Sequence, residues 1–253
     1  MAFMEIPQKK HPFIVIAHRG DHTNAPENTL RAYRNAIKID ADYIEIDLRM
    51  TKDSQLIIMH DENLKRMTGL DRKVSELTWK EISMLEIKNN EHPEWGKHRV
   101  PLFSEVLNLS RRKINIYLDF KNAPVDKTYR ALLQAKMDKN VLVYINTLQQ
   151  YEQWKQLAPE VPLMLSLPSG IKSDVQLREF IEKFKPAFLD GGYESYTSDM
   201  LKIARNLGVI VWPDIQSLNE ENNWGKAIDI GFDGLQTDHP KAMIDFLKLK
   251  KLR

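Results

Sequence analysis

The chain has 253 residues, of which 42% are hydrophobic, so it is long enough to bury one sizeable core. Its 37 basic and 35 acidic side chains nearly cancel, so the overall charge favours neither nucleic acid nor a membrane surface as a partner. The absence of cysteine excludes disulfides, thiolate metal sites and cysteine nucleophiles. No run of about eighteen apolar residues occurs, so neither a transmembrane helix nor stable membrane insertion is predicted.

The N-terminus has no apolar stretch long enough for a signal peptide, so a cytoplasmic location is predicted from this sequence. Loss of an export signal from the N-terminus would change that prediction to a periplasmic or secreted protein. The oligomeric state does not follow from the sequence.

Short β-branched segments alternate with amphipathic, helix-length segments along the whole chain. Strands are predicted at 13–17, 43–48, 55–59, 114–118, 141–145, 162–166, 187–189, 209–212 and 234–236. Helices are predicted at 29–39, around 104–109, and at 126–136, 148–157, 174–183, 198–207 and 219–228. Repeated strand–helix units form parallel sheets, and this number of repeats favours a closed TIM-type (β/α)8 barrel. An open doubly wound sheet is the alternative.

No change in composition marks a domain boundary, so residues 1–253 are predicted to form a single barrel domain. The longest departure from the alternation is at about 61–101, where a helix is predicted at 75–85 and a polar, aromatic-bearing loop at 89–99. Long loops often carry function. We therefore predict a short insert on the rim of the barrel.

Polar side chains gather at the carboxyl ends of the first four predicted strands. In chain order they are His18 and Arg19, then Glu45 and Asp47, then His60 and Asp61, then Asp119 and Lys121. The carboxyl ends of barrel strands meet on one face, where active sites of this fold lie. These side chains are therefore predicted to share one site.

Glu45 and Asp47 are two residues apart and therefore face the same side of their strand. Two carboxylates in a barrel mouth are costly unless a cation neutralises them, and oxygen ligands without sulfur suit Mg²⁺ or Ca²⁺. Asp119 would complete this set, and Lys121 on the same face would meet a phosphate oxygen. An ordinary polar face on an edge strand and a solvated strand end are the alternatives.

His18 and His60 end two different strands, and histidine titrates near neutral pH. One imidazole would therefore donate a proton while the other accepts one. The guanidinium of Arg19 offers a fork for phosphate oxygens. The alternatives are structural histidines and a surface ion pair for Arg19, but the conjunction of all these groups on four strand ends favours catalysis.

The same residues resemble the motifs of the glycerophosphodiester phosphodiesterase family. The resemblance runs through His18-Arg19-Gly20, Pro26-Glu27-Asn28-Thr29, Glu45-Ile46-Asp47, His60-Asp61, Leu64, Arg66, Thr68, Gly69, Val100-Pro101, Glu105, Leu118-Asp119-Phe120-Lys121, Trp212, Gly231-Phe232-Asp233-Gly234, Thr237-Asp238 and Pro240. It spans nearly the whole chain, and residues 18–69 are its most specific part. The resemblance implies a TIM-type barrel that hydrolyses glycerophosphodiesters, small-molecule substrates, to glycerol phosphate and an alcohol with a bound divalent cation.

Carried over position by position, the resemblance also implies roles for single residues. These are acid/base catalysis by His18 and His60, phosphate binding by Arg19 and Lys121, and cation binding by Glu45, Asp47 and Asp119. Glu27 is expected to orient Arg19, ahead of contacts with the cation or with the substrate glycerol. Trp212 is expected in the pocket wall, with packing inside the barrel as the alternative.

The chain departs from the family pattern at three positions. Asp119 stands where the family usually has glutamate, and this bears on the identity and affinity of the cation. Pro213 and Ile215 stand where threonine and asparagine often follow Trp212, and this bears on the glycerol and leaving-group contacts. The segment 61–101 is also short beside relatives with a large inserted subdomain, which implies an open site.

Two other functions compete with this interpretation. A phospholipase-type enzyme acting on lysophospholipids or phosphoinositides would need an exposed apolar rim, for which Trp79, Leu85 and Trp95 are the only hint. A barrel that binds phosphodiesters or a partner protein without turnover is disfavoured, because both histidines, Glu45 and Asp47 are all present.

Overall fold

The computed structural model describes residues 6–217 and 219–253. The strands found there are β1 (Ile14–Ala17), β2 (Tyr43–Met50), β3 (Leu56–Ile58), β4 (Asn115–Asn122), β5 (Val141–Ile145), β6 (Leu163–Ser166), β7 (Phe188–Asp190), β8 (Ile210–Val211) and β9 (Gly234–Thr237). The helices are α1 (Leu30–Lys38), α2 (Lys65–Thr68), α3 (Trp79–Ser83), α4 (Phe103–Ser110), α5 (Val125–Ala135), α6 (Leu148–Leu157), α7 (Asp174–Phe184), α8 (Ser198–Asn206), α9 (Glu221–Ile230) and α10 (Pro240–Leu249).

Eight of the strands in the described residues form a parallel barrel. Their order around it is β8-β7-β6-β5-β4-β2-β1-β9, and a parallel bridge between Asp214 and Gln236 joins the two ends of this series. Neighbours pair in parallel, as between Ile44 of β2 and Ile116 of β4. The predicted TIM-type barrel is thereby confirmed, and the open sheet is excluded.

Inside the barrel, the inward side chains change from apolar to polar along the strands. The lower, apolar floor consists mainly of Ile14, Ile16, Tyr43, Tyr117, Leu142, Met164, Phe188 and Trp212. Two residues further along β2, β4 and β7, the inward positions are Glu45, Asp119 and Asp190. Because residues two apart share a face of a strand, this step sets polar groups directly above the floor.

The outward side chains pack against the helices. Ile44 and Leu48 of β2 belong to the same apolar cluster as Tyr33 of α1. Glu45 and Asp47 lie on the opposite face of β2, where their partners come from the barrel mouth. The predicted division of β2 into an apolar helix-facing side and a carboxylate side is therefore confirmed.

The third strand differs from the prediction of a parallel barrel strand. β3 is antiparallel to the end of β2, with Ile58 opposite Leu48, and lies off the barrel path. The turn that joins the two strands is far too short for a parallel crossover, so the chain folds back as a hairpin. Because the Met59 N–H donates to the Asp47 carbonyl at 2.9 Å, the returning strand still brings His60 to the mouth.

Residues 61–101 form a small structure on the rim with an apolar cluster of its own, which includes Leu64, Val74 and Ile82. The predicted helix at 75–85 is interrupted: a 3-10 turn at Val74–Glu76 precedes the short α3. Trp79 and Leu85 pack against this cluster, so they do not form the exposed apolar rim considered above. None of the helices in the described part of the chain combines the length and apolar character needed to cross a bilayer.

Candidate active site at the barrel mouth

The loop that follows β1 has an unusual backbone that positions Arg19. Arg19 and Asn28 have φ values of 52° and 56°, and Gly20 has φ 85°. A Cβ on Gly20 would lie 2.9 Å from the backbone of Ala32 in α1, so only glycine fits this close approach. The Arg19 N–H thereby donates to Glu45 Oε2 at 2.8 Å. Left-handed non-glycine residues of this kind concentrate at functional sites.

Glu45, Asp47 and Asp119 form a carboxylate cluster whose oxygens lie within 4.8 Å of one another. Glu45 and Asp47 are 3% and 0% exposed. Burial, together with the neighbouring charges of Asp47 and Asp119, raises the pKa of Glu45 well above its usual value. Burial and Asp47 also raise the pKa of Asp119, although Lys121 opposes this. The three groups therefore lie where their shared negative charge is costly.

The carboxylate cluster has the features of a cation site. Asp47 Oδ2 accepts a hydrogen bond from Asn28 at 2.7 Å, but the buried Oδ1 has no hydrogen-bond partner. Lys121 Nζ lies 3.3 Å from that oxygen and 2.5 Å from Asp119 Oδ2, and Arg19 Nε lies 3.6 Å from Asp47 Oδ2. An all-oxygen set with a free buried oxygen fits a hard divalent cation.

His18 and His60 follow β1 and β3, the two strands that pair with β2, and each imidazole is held by a carboxylate. His18 Nδ1 lies 2.6 Å from Asp238 Oδ1, and His60 Nδ1 lies 2.8 Å from Asp61 Oδ1. A carboxylate at Nδ1 fixes the ring and its tautomer, which leaves Nε2 for proton transfer. Both rings are partly accessible, with 20% and 35% of the side chains exposed. The structure thus places both predicted imidazoles after strands that neighbour β2, which carries Glu45 and Asp47.

Arg66 connects the two sides of the site. Its Nε donates to Asp61 Oδ2 at 2.7 Å, and its Nη2 donates to Glu27 Oε1 at 2.7 Å. Glu27 Oε1 also accepts from Arg19 at 3.0 Å, which is the contact expected of an orienting residue. Although burial opposes it, hydrogen bonds from Arg66 and His60 hold the pKa of Asp61 at about 2. Asp61 is therefore ionised at neutral pH.

No role was predicted for Asn146 and Asp238 from the sequence, and Arg66 was named only as part of a motif. Asn146 donates to Asp119 Oδ1 at 2.7 Å, and thus steadies a member of the carboxylate cluster. The two-residue periodicity of the strands could have indicated that Asn146 and Asp238 point into the barrel. Asn146 lies two residues after the inward Tyr144, and Asp238 lies two after the inward Gln236.

Trp212 is not at the mouth, so its expected place in the pocket wall is wrong. Its fully buried ring packs in the apolar floor, 5.3 Å from Tyr43 and 4.8 Å from Phe188, and its Nε1 donates to Asp233 at 3.1 Å. The barrel stagger explains this position, because Trp212 is the lower inward residue that follows β8. The upper inward residue is Asp214, two positions later.

A second acidic group, Asp190 and Asp214, lies on the opposite side of the barrel interior. Tyr117 donates to Asp190 Oδ2 at 2.8 Å, and Gln236 and Gln216 donate to Asp214 Oδ1. Burial and the charge of Asp214 raise the pKa of Asp190 well above its usual value. We call these two residues the acidic pair.

Comparison with known proteins agrees with this geometry. The model of the Glycerophosphoryl diester phosphodiesterase family matches residues 18–242. The chain is 30% identical to human Lysophospholipase D GDPD1, over 95% of this chain and 88% of that protein. It is 26% identical to a glycerophosphodiester phosphodiesterase of Caldanaerobacter subterraneus subsp. tengcongensis, over 93% of this chain and 98% of that one.

The fold likeness extends to solved structures. A phosphodiesterase from Oleispira antarctica, solved in complex with the product sn-glycerol-3-phosphate, superposes with a TM-score of 0.82 at 22% identity, covering 93% of this chain and 96% of that one. A glycerophosphoryl diester phosphodiesterase-like protein from Silicibacter pomeroyi gives the same TM-score at 20% identity, covering 98% and 97% of the two chains. The family match covers most of the chain, so this protein belongs to the glycerophosphoryl diester phosphodiesterase family and is a phosphoric diester hydrolase.

Proposed function

We propose that this chain hydrolyses glycerophosphodiesters to glycerol phosphate and an alcohol, that the reaction requires a divalent cation, and that His18 and His60 transfer the protons. One observation supports this above the others. A buried carboxylate cluster includes an oxygen that accepts no hydrogen bond, Asp47 Oδ1, and the strands beside β2 lead to two imidazoles whose Nδ1 atoms are already engaged.

Glu45, Asp47 and Asp119 would hold the cation, and Mg²⁺ and Ca²⁺ are the candidates that suit their oxygens. When bound, such a cation neutralises the negative charge that develops on a non-bridging phosphate oxygen. The shorter side chain of Asp119 still reaches the other two carboxylates, because its oxygens lie within the same 4.8 Å.

Arg19 and Lys121 would hold the phosphate in place. Although burial opposes it, Asp119 and Asp47 raise the pKa of Lys121, so its ammonium is charged at neutral pH. Arg19 is held by Glu27 at 3.0 Å, which aims the guanidinium before the substrate arrives. Fixed cations of this kind stabilise a charged transition state without having to reorganise.

The proton transfers balance between the two imidazoles. One Nε2 takes the proton of the attacking oxygen, which belongs to water or to a glycerol hydroxyl of the substrate. The phosphorus–oxygen bond to the alcohol breaks as the other Nε2–H gives its proton to the departing oxygen. Through the hydroxyl route a cyclic phosphate forms first, and water then opens it. That second step uses the imidazoles in exchanged roles and so returns both to their starting states, whereas in the direct route they return to them by exchanging protons with solvent. Either way, one water is consumed.

The test is a turnover assay on glycerophosphocholine with chelator-treated protein. Glycerol phosphate is expected to form only after a divalent cation is added back, with Mg²⁺ and Ca²⁺ compared at equal concentration. Undiminished turnover after exhaustive chelation, checked by elemental analysis of the protein, would refute the cation requirement.

Lysophospholipids are a second candidate substrate class, because an apolar pocket of about 210 Å³ lies beside the mouth. Leu165 and Phe180 line it, as does Asn146, which also contacts Asp119. Leu148, which also lines it, is 61% exposed. An acyl chain attached to the glycerol would find apolar contacts there. Lysophosphatidylcholine assayed beside glycerophosphocholine decides the matter: turnover of the latter alone removes this candidate.

A further inference from the structure

The charges of this chain are divided unevenly between the two ends of the barrel. The segments that precede the parallel strands, together with the residues after α10, meet at the amino-terminal end, opposite the mouth. They are 6–13, 39–42, 111–114, 136–140, 158–162, 185–187, 207–209, 231–233 and 250–253. These segments contain eleven basic and five acidic side chains, a net charge of +6. The whole chain has a net charge of +2, so the near-neutral total conceals a strongly basic end.

Contacts join the most basic of these segments into one surface. The Lys10 ammonium donates to the Lys113 carbonyl at 2.7 Å, and the Arg253 guanidinium donates to the Phe13 carbonyl at 3.3 Å. Asn140, from the next segment, borders the same cavity as Lys113. We call this surface the basic face, and it comprises residues 8–10, 111–113, 136–140 and 248–253.

A cavity of about 450 Å³ opens on the basic face. Four of its eight lining residues are basic and none is acidic. The basic ones are Lys9, Lys10, Arg112 and Lys113. Cationic side chains without a carboxylate among them form strong, charge-assisted hydrogen bonds to phosphate oxygens. The cavity therefore suits a phosphate group that arrives from outside the protein.

The acidic residues at this end do little to offset the basic face. Asp42 is 1% exposed, and it is held by Arg253 and by His11 Nδ1 at 2.7 Å. Asp233 is paired with Lys9 at 2.7 Å. Seven exposed basic side chains at this end have no carboxylate partner among residues 6–217 and 219–253, namely Arg111, Arg112, Lys113, Lys136, Lys185, Lys250 and Lys251. Their charges are available to an external anionic partner.

The side chains of this end favour a lipid surface over nucleic acid as that partner. Leu249 is 84% exposed and lies between Lys248 and Lys250. An apolar side chain beside lysines is stabilised when it enters the boundary between headgroups and acyl chains, for which nucleic acid has no equivalent. The aromatic residues of the nine segments, Phe13 and Phe232, are buried, so neither ring is available to stack on a base.

We propose that the basic face docks the barrel reversibly on the surface of an anionic phospholipid bilayer. The cavity would receive a headgroup phosphate, and Leu249 would enter the interface. Docked in this way, the barrel turns its mouth away from the bilayer, so its substrate arrives from water. This inference goes beyond the proposed function, and it opposes the second candidate there, because a lysophospholipid in the same bilayer would not reach the mouth.

Co-sedimentation with phospholipid vesicles tests the docking without any substrate. The full chain is mixed with vesicles of phosphatidylcholine alone, or of phosphatidylcholine with one third phosphatidylglycerol. Binding is expected only where phosphatidylglycerol is present. It should weaken strongly between about 0.1 M and about 1 M salt, because the Debye length falls from about 10 Å to about 3 Å.

A charge-reversal variant tests the location of the contact. R111E/R112E/K113E changes three exposed side chains of the basic face and lowers the net charge from +2 to −4. It should weaken binding to the anionic vesicles about tenfold or more, because each basic residue near an anionic surface adds to the attraction. The melting temperature should change little, since these side chains form no ion pair among the described residues.

A matched control reverses three exposed lysines at the mouth end. K65E/K97E/K172E has the same net charge as the first variant, and Lys65 and Lys97 are 69% and 86% exposed. It should bind the anionic vesicles within twofold of the unchanged protein. An equal loss in the two variants would show that net charge, and not the basic face, governs binding, and would overturn the inference.

A second variant of the basic face keeps the test decisive if residues 111–113 prove important for folding. K248E/K250E/K251E should reproduce the loss of binding, and L249A should weaken binding severalfold. Equal binding to phosphatidylcholine alone, or a tighter complex with a DNA or RNA oligonucleotide than with the anionic vesicles, would overturn the inference. A failure to hydrolyse glycerophosphodiesters would contradict only the proposed function, because vesicle binding is measured without substrate.

Discussion

The carboxylate cluster and the acidic pair are built from the same residue types in the same barrel, yet their surroundings differ. Lys121 lies against Asp47 and Asp119 of the cluster, and Arg19 lies against Asp47 and Glu45. Within residues 6–217 and 219–253, the hydrogen-bond donors to the acidic pair are neutral, and they include the hydroxyl of Tyr117 and the amides of Gln216 and Gln236.

This difference shows that the groups around a buried carboxylate, and not its residue type, decide its protonation state and whether it can bind a metal ion. Burial raises pKa values in both groups, but in the carboxylate cluster the charges of Arg19 and Lys121 oppose that rise, and the ionised form is the one that binds a metal ion. In the acidic pair burial raises the pKa values of both carboxyls and so favours a protonated acid. We therefore assign the cation to the cluster and a structural or substrate-contacting role to the pair.

Removal of either imidazole should have the largest effect. His18→Ala and His60→Ala are each expected to lower kcat about 10²- to 10⁴-fold, because proton transfer to or from the reacting oxygens is lost. Cation affinity and the melting temperature should change little. His11→Gln, at the opposite end of the barrel beside Asp42, is the control and should keep normal turnover. Near-normal kcat in either alanine variant would remove that residue from the mechanism.

The next prediction separates the two acidic groups by cation affinity. Glu45→Gln should weaken Mg²⁺ or Ca²⁺ binding at least tenfold in calorimetric titration, because one anionic ligand is lost. Asp190→Asn, a matched loss of one buried carboxyl, should change the affinity less than twofold. The reverse order of effects would move the cation to the acidic pair.

The pH dependence of stability sharpens the same comparison. Glu45, Asp119, Asp190 and Asp214 have pKa values raised above those of the unfolded chain, so above about pH 4 these four groups bind more protons in the metal-free folded protein than in the unfolded chain. Its free energy of unfolding should therefore fall as the pH rises through the raised values. Denaturant titrations from pH 5 to pH 8 measure this slope.

A saturating cation should flatten only the part of that slope that belongs to the carboxylate cluster. Asp190→Asn should flatten the remainder, with or without the cation. A slope that is unaffected by the cation would show that the cluster does not exchange its protons for a metal ion.

The smallest effect is expected for Glu27→Gln, which keeps the shape of the side chain but removes the charge beside Arg19. Because charge-assisted hydrogen bonds contribute about 1.5–3 kcal/mol, KM should rise about tenfold while kcat falls much less. An unchanged KM would show that Arg19 does not need Glu27 for its orientation.

The sequence predicted the barrel and the convergence of its carboxyl-terminal ends, because strand periodicity and strand–helix alternation are local signals. Glu45, Asp47 and Asp119 came together as predicted. The antiparallel direction of β3 was not predicted. The apolar pattern of a strand is the same whether a hairpin turn or a crossover connection leads into it. Trp212 was misplaced because the stagger of a barrel, which decides how high each inward residue lies, cannot be read from one strand.

Local sequence patterns also could not predict hydrogen-bond partners that come from distant parts of the chain. Asp238 meets His18 across 220 positions, and the shared contact of His22 with the same oxygen follows only from closure of the barrel. Pro213 and Ile215, the two departures from the family pattern after Trp212, were less informative than Asp214 between them. Ile215 is buried in the outer core, whereas Asp214 faces the mouth.

The central claim is that Glu45, Asp47 and Asp119 bind a divalent cation between the two imidazoles. A crystal of the protein soaked in Mn²⁺, measured for anomalous scattering at the manganese edge, tests it. We predict one strong peak within about 2.0–2.6 Å of an oxygen from each of the three carboxylates. A strong peak at His18, His22 and Asp238 or at the acidic pair, with none at the cluster, would contradict the claim.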